Sequence, residues 1–263
     1  MTAAIGEWTP VELSTTEFEV CWSTLGLGEL PHVLDLPSPG DTWPEREEIV
    51  RSTRESLAAR GLADQRSLHP DLAGQLARLA RFSWAVDARL HTEQRLRAWG
   101  SVIGGAAVLA VVDDDRDTVV TRALPEHALL SQLVGLLPQA ETPRYDSVSV
   151  EASTLDAAVA EARQTQTSDV GVLADALTRR GVRAAQARAV ARMVDGAGWR
   201  GQFGATVAEE RGTWRRARRV VGFHDTPAGR IMHLRRDGWV TLVPAGPRQL
   251  VTAIGELVGE TRG

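Results

Sequence analysis

The sequence predicts an α+β fold in which a central antiparallel β-sheet is flanked by two helical bundles. In the C-terminal part, runs of alternating apolar and polar residues occur at 214–224, 230–235 and 239–243, and Asp237-Gly238 separates the last two. Asp-Gly at this place is a strong hairpin signal, because a type I′ turn requires positive φ at both central positions. The order of the elements in this half also repeats the order in the first half. The sheet is therefore expected to contain two related sets of strands.

The first half is predicted to begin with a strand at 11–13 and a helix opened by Ser14 and Glu17, which are spaced as a capping box. The elements predicted after it are helices at 45–60 and 70–80, strands at 82–90, 96–112 and 118–122, and a helix at 125–137. Both alternating sets of residues in 102–112 are apolar, so this segment is expected to be covered on both faces.

The second half is predicted to repeat this order. Its predicted elements are a strand at 147–151, a helix opened by Ser153 as Ser14 opens the first, helices at 168–180 and 183–195, a strand at 202–209, the meander, and a helix at 247–258. Arg60-Gly61 and Arg180-Gly181 end equivalent helices. We expect one domain over 1–263, made of pseudo-repeat halves at about 8–140 and 145–263, whose strands join across a quasi-two-fold axis.

Composition narrows the classes of function. The 263 residues are 43% hydrophobic and 24% charged, as in globular proteins, and the net charge of −4 gives no drive toward nucleic acid. Lysine is absent, which excludes a P-loop lysine and a Schiff base, and Cys21 alone allows no internal disulfide. The longest apolar run, 102–112, is too short to span a membrane, and no secretory signal is recognisable. A cytoplasmic protein without membrane insertion is expected.

The sequence motifs predict no cofactor site, no metal site and no catalytic site. Residues 196–201 match G-x-G-x-x-G, but they follow a predicted helix and precede a strand, the reverse of a dinucleotide site. The acidic run 113–117 lacks EF-hand spacing and is predicted to be a hairpin loop. The adjacent residues His224 and Asp225 resemble a base and its orienting group, yet neighbours in a strand point to opposite faces.

Arginines at 211, 215, 216, 218 and 219 form the densest basic run. A strand would place Arg216 and Arg218 on one side and Arg215 and Arg219 on the other, which is unsuited to nucleic acid. Pairing with acids on neighbouring strands, or a charged protein-binding face, is expected instead. Trp99 and Trp214 are predicted to be the exposed aromatic anchors.

Three segments, at 11–31, 57–62 and 211–244, resemble the ESX secretion-associated EspG family of actinobacterial type VII secretion. The most specific parts are the Asp-Thr-x-x-Gly-Arg turn at 225–230 and the Trp-Val-Thr strand at 239–241. The resemblance covers nearly the whole chain. It implies a sheet with two helical bundles in quasi-two-fold arrangement, and a cytosolic, non-enzymatic chaperone. Such a chaperone binds a PE/PPE heterodimer at the helical tip of the PPE protein, keeps it soluble and delivers it for secretion.

Covering an apolar helical tip requires a preformed sheet face with an apolar centre and a polar rim, burying roughly 800 Å² per partner. The residues predicted to bind the partner are Gln202, Thr206, Arg216, Arg218, Arg230 and His233 on the C-terminal strands, with Arg188 and Arg192 at the rim. The family loop between the second and third strands, here 91–95, is short. Two alternatives stay open: a dimeric α+β scaffold or regulatory protein without a secretion substrate, and an unrecognised hydrolase. The free chaperone could itself be a homodimer.

Overall fold

The computed structural model describes residues 10–64, 66–165, 169–209 and 213–263. The α-helices in these ranges are α1 Thr15–Thr24, α2 Trp43–Ala59, α3 Pro70–Ala80, α4 Leu129–Val134, α5 Ala152–Gln164, α6 Val170–Arg179, α7 Ala184–Val194 and α8 Pro247–Arg262. The strands are β1 Val11–Ser14, β2 Trp84–His91, β3 Arg95–Ile103, β4 Ala106–Asp113, β5 Thr118–Pro125, β6 Val148–Glu151, β7 Arg200–Ala208, β8 Trp214–Arg216, β9 Val221–Thr226, β10 Gly229–Arg236 and β11 Trp239–Pro244. Short 3₁₀ helices span His32–Leu34 and Glu126–Ala128.

The strands form one continuous antiparallel sheet, in the order β1-β5-β4-β3-β2-β7-β9-β10-β11-β6, with β8 paired to β7. The order has the same pattern from either edge, because β6, β7, β9, β10 and β11 take the places of β1, β2, β3, β4 and β5. The two sets meet where β2 pairs with β7 along its whole length, from Trp84 opposite Val207 to His91 opposite Arg200. The predicted α+β fold with a quasi-two-fold sheet is confirmed. The exact limits of the halves, 8–140 and 145–263, stay a prediction.

The two faces of the sheet are covered differently. On one, the closed face, Trp84, Val86 and Ala88 of β2 pack in a cluster with α4 and α8. On the other, the open face, α1 to α3 pack over the first set of strands, and α5 to α7 pack over the second. Two helical bundles therefore lie side by side on the open face, with the central strands between them.

Local signals explain several helix ends. Ser14 and Glu17 form the predicted capping box, with Ser14 N to Glu17 Oε2 at 2.9 Å and Glu17 N to Ser14 Oγ at 3.0 Å. Helices α2 and α6 end alike, at Gly61 with φ +70° and Gly181 with φ +86°. In both, the amide after the glycine turns back to bond a carbonyl of the last helical turn, as in a Schellman motif. In these two helix ends the internal repeat extends to single residues, because Gly61 and Gly181 have the same role in the two halves.

Several predicted elements are wrong in detail. The segment 96–112 is two strands joined by a hairpin at Gly104 and Gly105, both with positive φ, although β4 is buried on both faces as expected. Ser153 does not cap α5, because its hydroxyl instead donates to Glu151 Oε1 at 2.9 Å and the helix begins at Ala152. Helix α4 is much shorter than the predicted 125–137.

The predicted strand 214–224 is interrupted in its middle. Thr206 lies opposite Arg216 and Phe203 lies opposite Val221, so four residues, 217–220, face only two on β7. The extra residues bulge out of the ladder. Arg218 and Arg219 therefore lie outside the strand, and the predicted division of these arginines between two faces holds only for β8.

The turn between β9 and β10 contains a buried ion pair. Arg230 donates from Nε and Nη2 to the two carboxylate oxygens of Asp225, at 2.7 and 2.8 Å, and also from Nη2 to Pro138 O at 3.0 Å. Its guanidinium carbon lies 5.0 Å from the ring centroid of Phe223. The Arg230 side chain is only 3% exposed, so this pair stabilises the hairpin from within.

Replacing Arg230 with Met is expected to lower the free energy of unfolding by about 3 to 5 kcal/mol, because the Asp225 carboxylate would be left buried without a partner. The measurement is denaturant unfolding followed by circular dichroism. Arg235→Met is the matched control on the same strand: its pair with Asp156 is more than half exposed, so a loss below about 1 kcal/mol is expected. Equal losses for the two variants would contradict the structural role of the buried pair.

Candidate functional site

The central strands carry polar side chains on the open face, along the gap between the two helical bundles. His91, Arg200 and Gln202 are exposed there, whereas Asp87 and Thr206 are buried. The register places Arg89 opposite Gln202, His91 opposite Arg200, and Ala85 opposite Thr206. Because side chains alternate along a strand, all of these lie on one face. We name this surface the trough; it comprises Asp87, Arg89, His91, Arg200, Gln202, Gly204 and Thr206, with Arg216, His224 and His233 from β8, β9 and β10.

An ion pair crosses the floor of the trough. Arg216 of β8 donates to both oxygens of Asp87 on β2, with Nη2 to Oδ2 at 2.9 Å. The intervening residue on β7 is Gly204, where a Cβ atom would lie 2.5 Å from Nη2 of Arg216 and 2.6 Å from the Asp87 carboxylate. Only glycine leaves room for this contact. The pairing of β8 arginines with acids on neighbouring segments is confirmed, since Arg215 also binds Glu209.

Two imidazoles lie next to each other at one end of the trough, with their rings tilted by 30°. The rings of His224 and His233 are 5.5 Å apart, and His224 Nε2 lies 2.7 Å from Met193 O, to which it donates. His233 lies flat over Gly222, where a Cβ would come within 2.2 Å of its Cε1. Burial lowers the pKa of both imidazoles, that of His233 to about 4 with a contribution from His224, so both are neutral at neutral pH.

Asp225 does not orient His224. Its carboxylate turns away from the trough and binds Arg230, as expected for adjacent residues of a strand. The acidic run 113–117 is a hairpin loop whose carboxylates Asp114 and Asp115 bind Arg97 and Arg95. Within the described ranges, no group of three or more His, Cys, Asp or Glu side chains is placed to hold a metal ion.

The structure brings four of the eight predicted binding residues together: Gln202, Thr206, Arg216 and His233 share the trough. Arg188 and Arg192 are exposed on α7, where the Arg192 guanidinium lies 5.9 Å from the Tyr145 ring centroid. The last two lie outside the trough. Arg218 is not on a strand but is exposed on the bulge after β8, so its role in binding stays a prediction. Arg230 is buried in its ion pair, which leaves almost none of its own surface for a partner.

Sequence reasoning missed Arg89, His91 and Arg200, although the alternation in Asp87-Ala88-Arg89-Leu90-His91 marks a strand with one polar face. It also misplaced an aromatic residue. Trp99 is 3% exposed and donates Nε1 to Leu79 O at 3.1 Å, so its prediction as an exposed anchor is wrong.

Trp214 is 49% exposed and lies 5.8 Å from the Phe82 ring, so its prediction as an exposed aromatic residue is confirmed. It shares the open face with Arg216, two residues along β8. Trp43 and Trp239 are also exposed, at 84% and 52%, and were not predicted.

A continuous antiparallel sheet with a polar trough between two helical bundles defines the structural class of this chain. The sequence model of the EspG family matches residues 14–256, and the chain belongs to the EspG family. Its fold is similar to the solved structure of the Mycobacterium tuberculosis type VII secretion system chaperone EspG5 in complex with a PE25-PPE41 dimer. The TM-score is 0.74, the sequence identity is 16%, and 96% of each chain is covered.

Because the sequence identity is 16%, the similarity to this solved structure shows the fold alone. No curated protein sequence matches this chain. In the part of the chain that the structure describes, every helix is too short or too polar to cross a bilayer.

The buried imidazole of His233 predicts acid sensitivity. Its pKa in the folded chain is about 4, against 6.5 for the ordinary group, so between these values the unfolded chain binds a proton that the folded chain does not. Stability then falls as the pH drops from 6.5 toward 4, with a slope of at most about 1.4 kcal/mol per pH unit for one proton.

His233→Gln is expected to flatten this slope, measured by denaturant unfolding at a series of pH values. His91→Gln, at an exposed imidazole on the same face, is the control and should leave the slope as in the unmodified chain. An unchanged slope in His233→Gln would show that other groups cause the acid sensitivity.

Proposed function

We propose that this chain is a specific chaperone of type VII secretion, which binds a PE/PPE heterodimer at the helical tip of the PPE protein. It keeps this substrate soluble in the cytoplasm and directs it to an ESX secretion system, without catalysing a reaction. The observation that carries the proposal is the family match over residues 14–256. The likeness over 96% of the chain to EspG5, whose structure was solved with a PE25-PPE41 dimer, supports it.

The trough supports this proposal as a preformed surface. Its floor is formed by β2 and β7, whose backbone groups are paired in the centre of the sheet, so binding costs little ordering of the chaperone. The Asp87–Arg216 pair further fixes the side chains of the floor. The expected apolar centre is replaced by polar groups, and Trp214 supplies an apolar contact beside them.

We assign the contacts to the members of the predicted set that are at least partly accessible. Gln202, Arg216 and the partly buried His233 would contact the partner from the floor, Arg188 and Arg192 from α7, and Arg218 from the bulge after β8. Thr206 is buried beside them and would shape the floor without a large contact of its own. Arg230 would contribute through the hairpin that it stabilises.

Co-expression with PE/PPE pairs tests the proposal. One pair is expected to form a stable 1:1:1 complex, measured by size-exclusion chromatography with light scattering, and to become more soluble. If every pair encoded in the same genome stays unbound and insoluble, the chain is a scaffold or regulatory protein of another kind.

Filling the trough tests its location. Gln202→Trp places a large ring on the floor and is expected to raise the Kd for the cognate pair at least tenfold, which corresponds to about 1.4 kcal/mol. Ser52→Trp, on the exposed side of α2, adds the same side chain away from the trough and should leave the Kd unchanged. Equal affinities of the two variants would place the interface elsewhere.

A further inference from the structure

We propose that a cavity at the end of the trough binds a carboxylate side chain of the partner, so that the cognate helical tip carries an Asp or Glu at this point. The inference rests on the proposed function and specifies its substrate. The cavity has a volume of about 480 Å³, and the side chains that matter to the argument are those of Arg89, His91, Arg200, Gln202, His224 and His233.

The register of the sheet brings two arginines to this cavity. Arg89 lies opposite Gln202, and Arg200 lies opposite His91 on one side and His224 on the other. Residues directly opposite have Cβ atoms about 4.5–5.5 Å apart, and diagonal neighbours such as Arg89 and Arg200 about 7–8 Å. One carboxylate entering between them could accept hydrogen bonds from both guanidinium groups.

Among the residues that the structure describes, no carboxylate neutralises the positive charge of these arginines. No acidic residue lines the cavity in the described part of the chain. Arg89 donates Nη2 to the carbonyl of His32 at 3.2 Å, and within the same described part Arg200 has no ion-pair partner. Other arginines of the sheet do have one: Arg216 binds Asp87, and Arg235 binds Asp156.

The imidazole groups that line the cavity neither neutralise the positive charge of the arginines nor add to it. His224 and His233 are held neutral by burial, and the proton on His224 Nε2 is already donated to Met193 O. The wall they form is therefore uncharged beside two cationic groups. A charge-assisted contact between guanidinium and carboxylate is roughly twice as strong as a neutral hydrogen bond, and it also contributes to partner choice.

The position of the cavity favours a side chain of the bound protein over a free small anion. Gln202 and His233 line both the cavity and the trough, so a partner seated in the trough passes over the cavity mouth. An acidic residue at the tip would then enter without any rearrangement of the sheet.

Charge reversal tests the inference. Arg200→Glu is expected to raise the Kd for the cognate PE/PPE pair at least tenfold in isothermal titration calorimetry, and Arg200→Gln to raise it less. Arg54→Glu, which makes the same charge change on the exposed side of α2, should leave the Kd unchanged. Circular dichroism and thermal unfolding check that the variants are folded, which is expected because Arg200 is exposed.

The decisive measurement is the reciprocal swap. Replacing the acidic residue of the partner's tip with Arg should weaken binding to the unmodified chain and restore binding to Arg200→Glu. If the pair binds the unmodified chain and Arg200→Glu equally well, or if no acidic tip residue shows this reciprocity, the carboxylate site is overturned while the proposed function stands. A chain that binds no PE/PPE pair overturns both proposals.

Discussion

The pairing of β2 with β7 is the interaction on which the rest of the structure depends. It is the place where the two sets of strands meet, and it turns two strand sets into one continuous sheet. The helices of each half pack mainly over the outer strands of their own set, which leaves the central pair exposed on the open face at His91, Arg200 and Gln202. The trough is thus a consequence of the way in which the halves join, and its floor consists of strands that are paired on both sides.

Polar side chains can occupy the centre of the sheet because most of them form hydrogen bonds or ion pairs within the chain. Asp87 is almost completely buried, yet Arg216 reaches it over Gly204, and the His224 imidazole donates to the Met193 carbonyl beside the tilted ring of His233. A buried carboxylate without such a partner would cost several kcal/mol. At the end of the trough, Arg89 donates to the His32 carbonyl, but among the described residues neither Arg89 nor Arg200 has a carboxylate partner.

The sequence predicted the fold well where local chemistry decides it. Asp237-Gly238 forms the expected turn, with φ of +48° and +79°, and Ser14 with Glu17 caps α1. The Gly104-Gly105 turn was missed because the apolar residues on both sides continue without a break, as they must in a doubly covered strand. The site was predicted only in part. The burial of Arg230 and of Trp99 depends on which strands and helices pack against them. The residues next to them in the sequence do not predict these long-range contacts.

The two helices that cover the closed face differ in length, and this makes the first half of the sheet depend on the second. Helix α8, at the C-terminal end, packs beneath β7 and also beneath β2 and α4 of the first half, whereas α4 is a short helix. The apolar side chains of Trp84, Val86 and Ala88 are therefore covered in large part by a helix that belongs to the second half of the chain. The first half is expected to be less stable alone than within the whole sheet, because removing α8 would expose these side chains to water.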